Sequence, residues 1–105
     1  MRPIIVCLCG STRFGRAFAE ANKAETLAGH IVLTIGCEIW SDSEVGITPE
    51  QKRQLDELHL RKIDLADEVL VLNLGGYLGE STRNEIAYAR RTGKPVRFLE
   101  PEGGG

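Results

Sequence analysis

Apolar residues along this chain fall into short runs and helical stripes that alternate from one end to the other. Residues 3–9 form a continuous apolar run, the pattern of a strand covered on both faces. A polar turn bounded by Gly10 and Gly15 follows it. Residues 16–28 then carry Ala17, Phe18, Ala21, Ala24 and Leu27 at helical spacing, and the stripe stops at Gly29. A second buried strand is predicted over residues 31–35. Residues 36–47 are the longest irregular stretch, with Trp40 among polar neighbours. Thr48-Pro49-Glu50-Gln51 then opens a helix, with a threonine cap, proline at the first helical position and glutamine as the box partner. That helix should run to about Leu65. Residues 69–72 are a third strand, ending in a glycine-rich turn from Gly75 to Thr82. A helix over residues 82–91, a strand over 95–99 and a glycine-rich tail complete the chain.

The order β-α-β-α-β-α-β implies parallel strands joined by right-handed crossovers, with helices on both faces. We therefore expect an α/β fold, a small doubly wound, Rossmann-like parallel sheet of about four strands in the order 2-1-3-4. One domain should span residues 1–105, since no linker, repeat or low-complexity segment divides it. The turns after the first and third strands should then face each other across the crevice where the sheet reverses direction, the place where such sheets bind ligands.

With 42% hydrophobic residues and a net charge of −2, the composition points neither to duplex nucleic acid nor to an anionic membrane as partner. No run of about 18 apolar residues exists to span a bilayer. The first residues read as a strand rather than a leader, so a cytoplasmic location is expected. Of Cys7, Cys9 and Cys37, the first two are expected to alternate along the first strand and to point to opposite faces of the sheet. Reduced, mostly buried thiols follow from that reading. A zinc site would need further ligands, and His30 and His59 show no ligand spacing, so neither metal nor cofactor is expected.

Two turns carry the candidate chemistry. Gly10, Ser11, Thr12 and Arg13 precede a helix, where outward-pointing amides suit a phosphate or carboxylate. The turn lacks the Gly-Lys-Ser/Thr of a Walker loop and the Gly-x-Gly-x-x-Gly dinucleotide fingerprint. In the second turn, Gly79, Glu80, Ser81, Thr82 and Glu85 cluster at a helix start. Thr82-Arg83-Asn84-Glu85 fits either a capping box or a site in which Glu85, near a helix N-terminus, is held as a carboxylate nucleophile. Glu80 fits an exposed loop acid or a partner in acid–base work. Tyr88, three residues beyond Glu85, fits a hydrogen bond to that carboxylate or plain packing. His59 lies on a stripe with Leu55, Ile63 and Ala66, which turns it toward the sheet as a core residue or as a catalyst. Trp40 fits a lid on a planar ligand or an interface residue.

Together these segments resemble the nucleoside 2-deoxyribosyltransferase superfamily, including its 2′-deoxynucleoside 5′-monophosphate N-glycosidase branch. Cys9-Gly10-Ser11-Thr12-Arg13 is similar to the family's Gly-Ser-x-Arg turn, and Ala66-Asp67-Glu68-Val69 to its Ala-Asp-x-Val strand entry. The segment from Gly79 to Ala89 is similar to its Asp-x-Gly-Thr-x-x-Glu-x-Gly-x-Ala stretch, and Gly93-Lys94-Pro95-Val96 to the turn that follows. The resemblance implies Glu85 as the nucleophile on the anomeric carbon, and Ser11 and Arg13 as holders of a 5′-phosphate. It implies a nucleotide or nucleoside as substrate and a homodimer or higher homo-oligomer that completes the site. The chain departs from the family at three points. His59 stands where an acid is usual, Thr12 and Phe14 lie where a tyrosine often follows the first strand, and Glu80-Ser81 replaces Asp and Gly. A non-catalytic nucleotide-binding module, or a relative of the lysine-decarboxylase-like phosphoribohydrolases through residues 75–85, are the alternatives.

Overall fold

In a parallel sheet flanked by helices, every second residue of a strand faces one helical layer and the others face the opposite layer. The structure, a computed structural model, describes residues 2–35 and 48–101. Strands β1 (Ile5–Gly10), β2 (Ile31–Leu33), β3 (Glu68–Leu72) and β4 (Val96–Phe98) form one all-parallel sheet in the order β2-β1-β3-β4. Helices α1 (Gly15–Leu27), α2 (Pro49–Leu65) and α3 (Glu80–Arg91) connect them. This is the α/β sheet, with the strand order, that the sequence predicts.

Alternation along the strands divides the interior into two cores. Val6, Leu8, Leu70 and Leu72 pack with Ala17, Phe18 and Ala21 of α1. Cys7, Cys9, Val69 and Val71 pack with Ile63 and Ala66 near the end of α2 and with Ile86 and Ala89 of α3. Cys7 and Cys9 thus share one face, which corrects the expectation that they diverge. Adjacent residues of a strand alternate, whereas residues two apart point the same way.

Local chemistry fixes where each element starts. β1 begins at Ile5 rather than residue 3; Pro3 has no amide to give a ladder. The Ile5 amide instead donates to Asp67 Oδ2 at 2.8 Å, and Arg2 closes a two-pronged contact on the same carboxylate. Asp67 in this way ties the entries of β1 and β3 together. The start of α2 forms the expected capping box: Thr48 Oγ1 accepts from the Gln51 amide at 3.1 Å, and Gln51 Oε1 accepts from the Thr48 amide at 2.9 Å. Among the described residues, no helix is long and apolar enough to cross a membrane. Trp40 and Cys37 lie outside the described residues.

Candidate functional site

β1 and β3 lie side by side, with Gly10 opposite Leu72 at their C-terminal ends. A side chain at Gly10 would bring a Cβ within 3.2 Å of both the Cβ and the carbonyl oxygen of Leu72, so only glycine allows this approach without displacement. From here the chain leaves β1 through a 3-10 turn (Thr12–Phe14), where Ser11 Oγ accepts from the Arg13 amide at 3.3 Å. It leaves β3 through a second turn, Leu74–Gly76, in which Gly75 and Gly76 have φ of 63° and 79°. Both values fall in the left-handed region that glycine adopts without penalty.

The two turns meet, as the predicted crevice requires. The Arg13 guanidinium stacks 4.1 Å from the Tyr77 ring centroid, and Phe14 packs edge-on against the same ring at 5.9 Å. Tyr77 was not singled out by the sequence reading. Neither was Asn73, buried at the end of β3, which donates to the Glu100 carbonyl at 3.0 Å and accepts from the Glu100 amide at 2.9 Å. The Glu100 carboxylate in turn accepts from the Gly75 amide at 3.0 Å, so the end of β4 braces the turn. A polar residue closing an apolar strand was the signal available for Asn73.

Helix α3 starts at Glu80, two residues before the predicted start, with Gly79 as its N-cap and no side-chain cap. The capping-box reading of Thr82 and Glu85 is thereby overturned, because both residues are interior to the helix. Thr82 is buried, and Glu85 is turned inward with its side chain 12% exposed. Glu80 sits exposed at the first helical position. Ser81 Oγ accepts from Lys52 Nζ at 3.2 Å, and Lys52 also pairs with Asp56. Lys52 and Asp56 therefore approach the start of α3 from α2, and neither was anticipated. Tyr88 does not hold Glu85. Its hydroxyl donates to Asp64 Oδ1 at 2.6 Å and accepts from Arg61 at 3.2 Å.

Four titratable side chains instead converge where β1, α2 and α3 pack together. His59 Nε2 lies 3.6 Å from Cys7 Sγ, 3.5 Å from Cys9 Sγ and 3.9 Å from Glu85 Oε1. The same nitrogen is 3.1 Å from the Leu8 carbonyl, to which it donates when it carries a proton. Both thiols are fully buried and His59 nearly so. Sequence spacing gave no sign of this group, because 50 residues separate Cys9 from His59.

Burial and mutual contact set the charges. The Cys9 thiol donates toward Cys7, which holds the Cys7 thiol down to about 5, with His59 adding to the effect. Cys9 is held well above the ordinary thiol value, since a second thiolate beside Cys7 and the Glu85 carboxylate would meet two negative neighbours out of water. Burial alone would push His59 down, but Cys7 and Glu85 together raise it. Burial pushes the Glu85 carboxyl up, only partly offset by His59 and Cys9. The nearby helix N-terminus therefore does not make Glu85 an unusually strong acid. His59 and Cys9 are the groups that favour its ionised form against burial.

No protein-family model matches the chain, and no curated protein matches it.

Proposed function

We propose that the chain cleaves or exchanges the N-glycosidic bond of a nucleotide or nucleoside, with Glu85 as the nucleophile. One observation carries the reading. The carboxylate, on the helix that follows the turn after β3, is shielded from water and sits 3.9 Å from an imidazole. Protonated His59 stabilises the carboxylate against its burial. Glu85 then attacks the anomeric carbon, a C–O bond forms as the C–N bond breaks, and the electron pair leaves with the base. Water or a second base displaces the carboxylate in the next step and regenerates it. Across the crevice, α1 begins without a side-chain cap, as α3 does. Its first amides, with Ser11, Thr12 and Arg13, suit a 5′-phosphate. In this reading Gly79 and Ser81, at the start of α3, would face the sugar.

The turned-in carboxylate also favours a second reading. Its engagement with His59 and Cys9 suits a nucleotide-binding module that performs no chemistry. Incubation with a panel of deoxyribo- and ribonucleoside monophosphates, followed by chromatography for free base, separates the two. The enzyme releases base from at least one member, and Glu85→Ala abolishes release while circular dichroism stays unchanged. Release that survives Glu85→Ala refutes the nucleophile. Thermal stabilisation by a nucleotide without any release supports the binding module.

We infer a homodimer or higher homo-oligomer in a reducing, cytoplasmic setting. Support comes from the free thiols of Cys7 and Cys9, and from Leu58 and Leu65, exposed two turns apart on α2. Light scattering in solution tests the assembly; a monomer at working concentration excludes it.

A further inference from the structure

The geometry points to a metal site: we propose that Cys7, Cys9 and His59 bind a thiophilic divalent ion of the zinc class, with the Glu85 carboxylate at the fourth position. The three ligand atoms lie within 4.8 Å of one another, all from buried residues. Around tetrahedral zinc, a thiolate at about 2.3 Å and an imidazole nitrogen at about 2.0–2.1 Å stand about 3.6 Å apart. The distances from His59 Nε2 to the two sulfurs are 3.6 and 3.5 Å. Glu85 Oε1 stands 3.9 Å from the same nitrogen but outside the three-residue group, so its side chain must turn toward the sulfurs to complete four-coordination.

The ligands sit on rigid elements: two on the central strand β1, one in the middle of α2, one in α3. On binding, Nε2 exchanges its proton and its bond to the Leu8 carbonyl for the metal. A two-thiolate, one-imidazole set selects zinc-like ions over magnesium or calcium, which take oxygen. The other convergent group, Glu25, His30 and Glu68, is different. Arg97 already bridges its two carboxylates at 2.9 and 3.1 Å, filling the cationic place.

The site does not rest on Glu85 being a nucleophile. A carboxylate that holds the metal cannot attack a sugar, so the two uses exclude each other in any one molecule.

The test uses the full chain carrying Cys37→Ser, so that thiolate signals come from Cys7 and Cys9, with wild type alongside. Metal-free, reduced protein is titrated with Co²⁺ and then with Zn²⁺ against a chromophoric chelator. We expect one equivalent of Co²⁺, a thiolate-to-cobalt charge-transfer band of two-thiolate intensity, the visible bands of tetrahedral cobalt, and displacement by Zn²⁺. Loss of a second-shell partner typically costs 10–100-fold in affinity. Cys7→Ser and Cys9→Ser, which remove direct ligands, should each weaken Zn²⁺ by at least about 100-fold and halve the band. Glu85→Gln should keep the band and lose about 10-fold. A missing band, a one-thiolate band, or a Cys7→Ser/Cys9→Ser double variant that binds Zn²⁺ as wild type does overturns the site. Should the serine variants not fold, the spectrum of the parent protein still decides. No substrate enters any arm, so failure to release base leaves this result untouched.

Discussion

The rotation of α2 about its own axis decides whether His59 reaches the two cysteines, and two residues near the end of that helix report it. Ile63, one turn beyond His59, is fully buried, whereas Leu65 is 68% exposed. Ile63→Ala removes three carbons from the core formed with Cys7, Cys9 and Val69. At about 0.8 kcal/mol per buried methylene the transfer loss is roughly 2.4 kcal/mol. Incomplete collapse of the cavity raises the total to about 3–4 kcal/mol, inside the usual 2–5 for such changes. Leu65→Ala loses little packing and gains slightly in helix propensity, so it should stay within about 0.5 kcal/mol of wild type. Urea titration followed by circular dichroism measures both, and unchanged m-values make the midpoints a direct comparison. Equal costs, or a larger cost at Leu65, would mean that α2 presents another face to the sheet. His59 would then turn away from Cys7 and Cys9, and both the ionised Glu85 and the metal site would fall with it.

Two further perturbations probe what frames the site. The contacts of Arg2 and the Ile5 amide hold Asp67 at about 2, below the ordinary carboxylate value of 3.8. Stability from this carboxylate is therefore full above about pH 4 and lost as pH falls through about 2. Acid titration of Asp67→Asn against wild type should show a stability gap that closes over that window; a gap independent of pH removes the ionic account. Gly10→Ala forces a methyl to 3.2 Å from Leu72 on the neighbouring strand. It should cost about 1–3 kcal/mol in urea, as overpacking does. A neutral result would show that β1 and β3 yield easily at their C-terminal ends.

The sheet was legible because its signals are local. Apolar runs of strand length, a complete capping box at Thr48 and glycine stops needed no knowledge of distant residues. His59 was legible in part: its stripe with Ile63 and Ala66 turned it toward the sheet, and it is buried there. Its partners were not, since a histidine in α2 meets β1 only through the folded topology, and the two cysteines had been assigned to opposite faces. The start of α3 misled because Thr82 and Glu85 have capping-box spacing, yet the helix had already begun at Glu80. Tyr88 lies near Glu85 in sequence but reaches across to Asp64 on α2, a competition that spacing within one helix does not reveal.

The division of the interior by the sheet also makes the molecule separable for engineering. Side chains that pack on α1 and those that surround Cys7, Cys9 and His59 belong to different clusters and share only the strand backbones. Substitutions on opposite sides, such as Phe18 with Ile63, should add with a residual of about 0.3–0.5 kcal/mol. The core under α1, around Ala17, Phe18 and Ala21, can thus be repacked for stability with its N-terminal turn left intact, while Cys7, Cys9 and His59 on the far side of the sheet are varied one at a time.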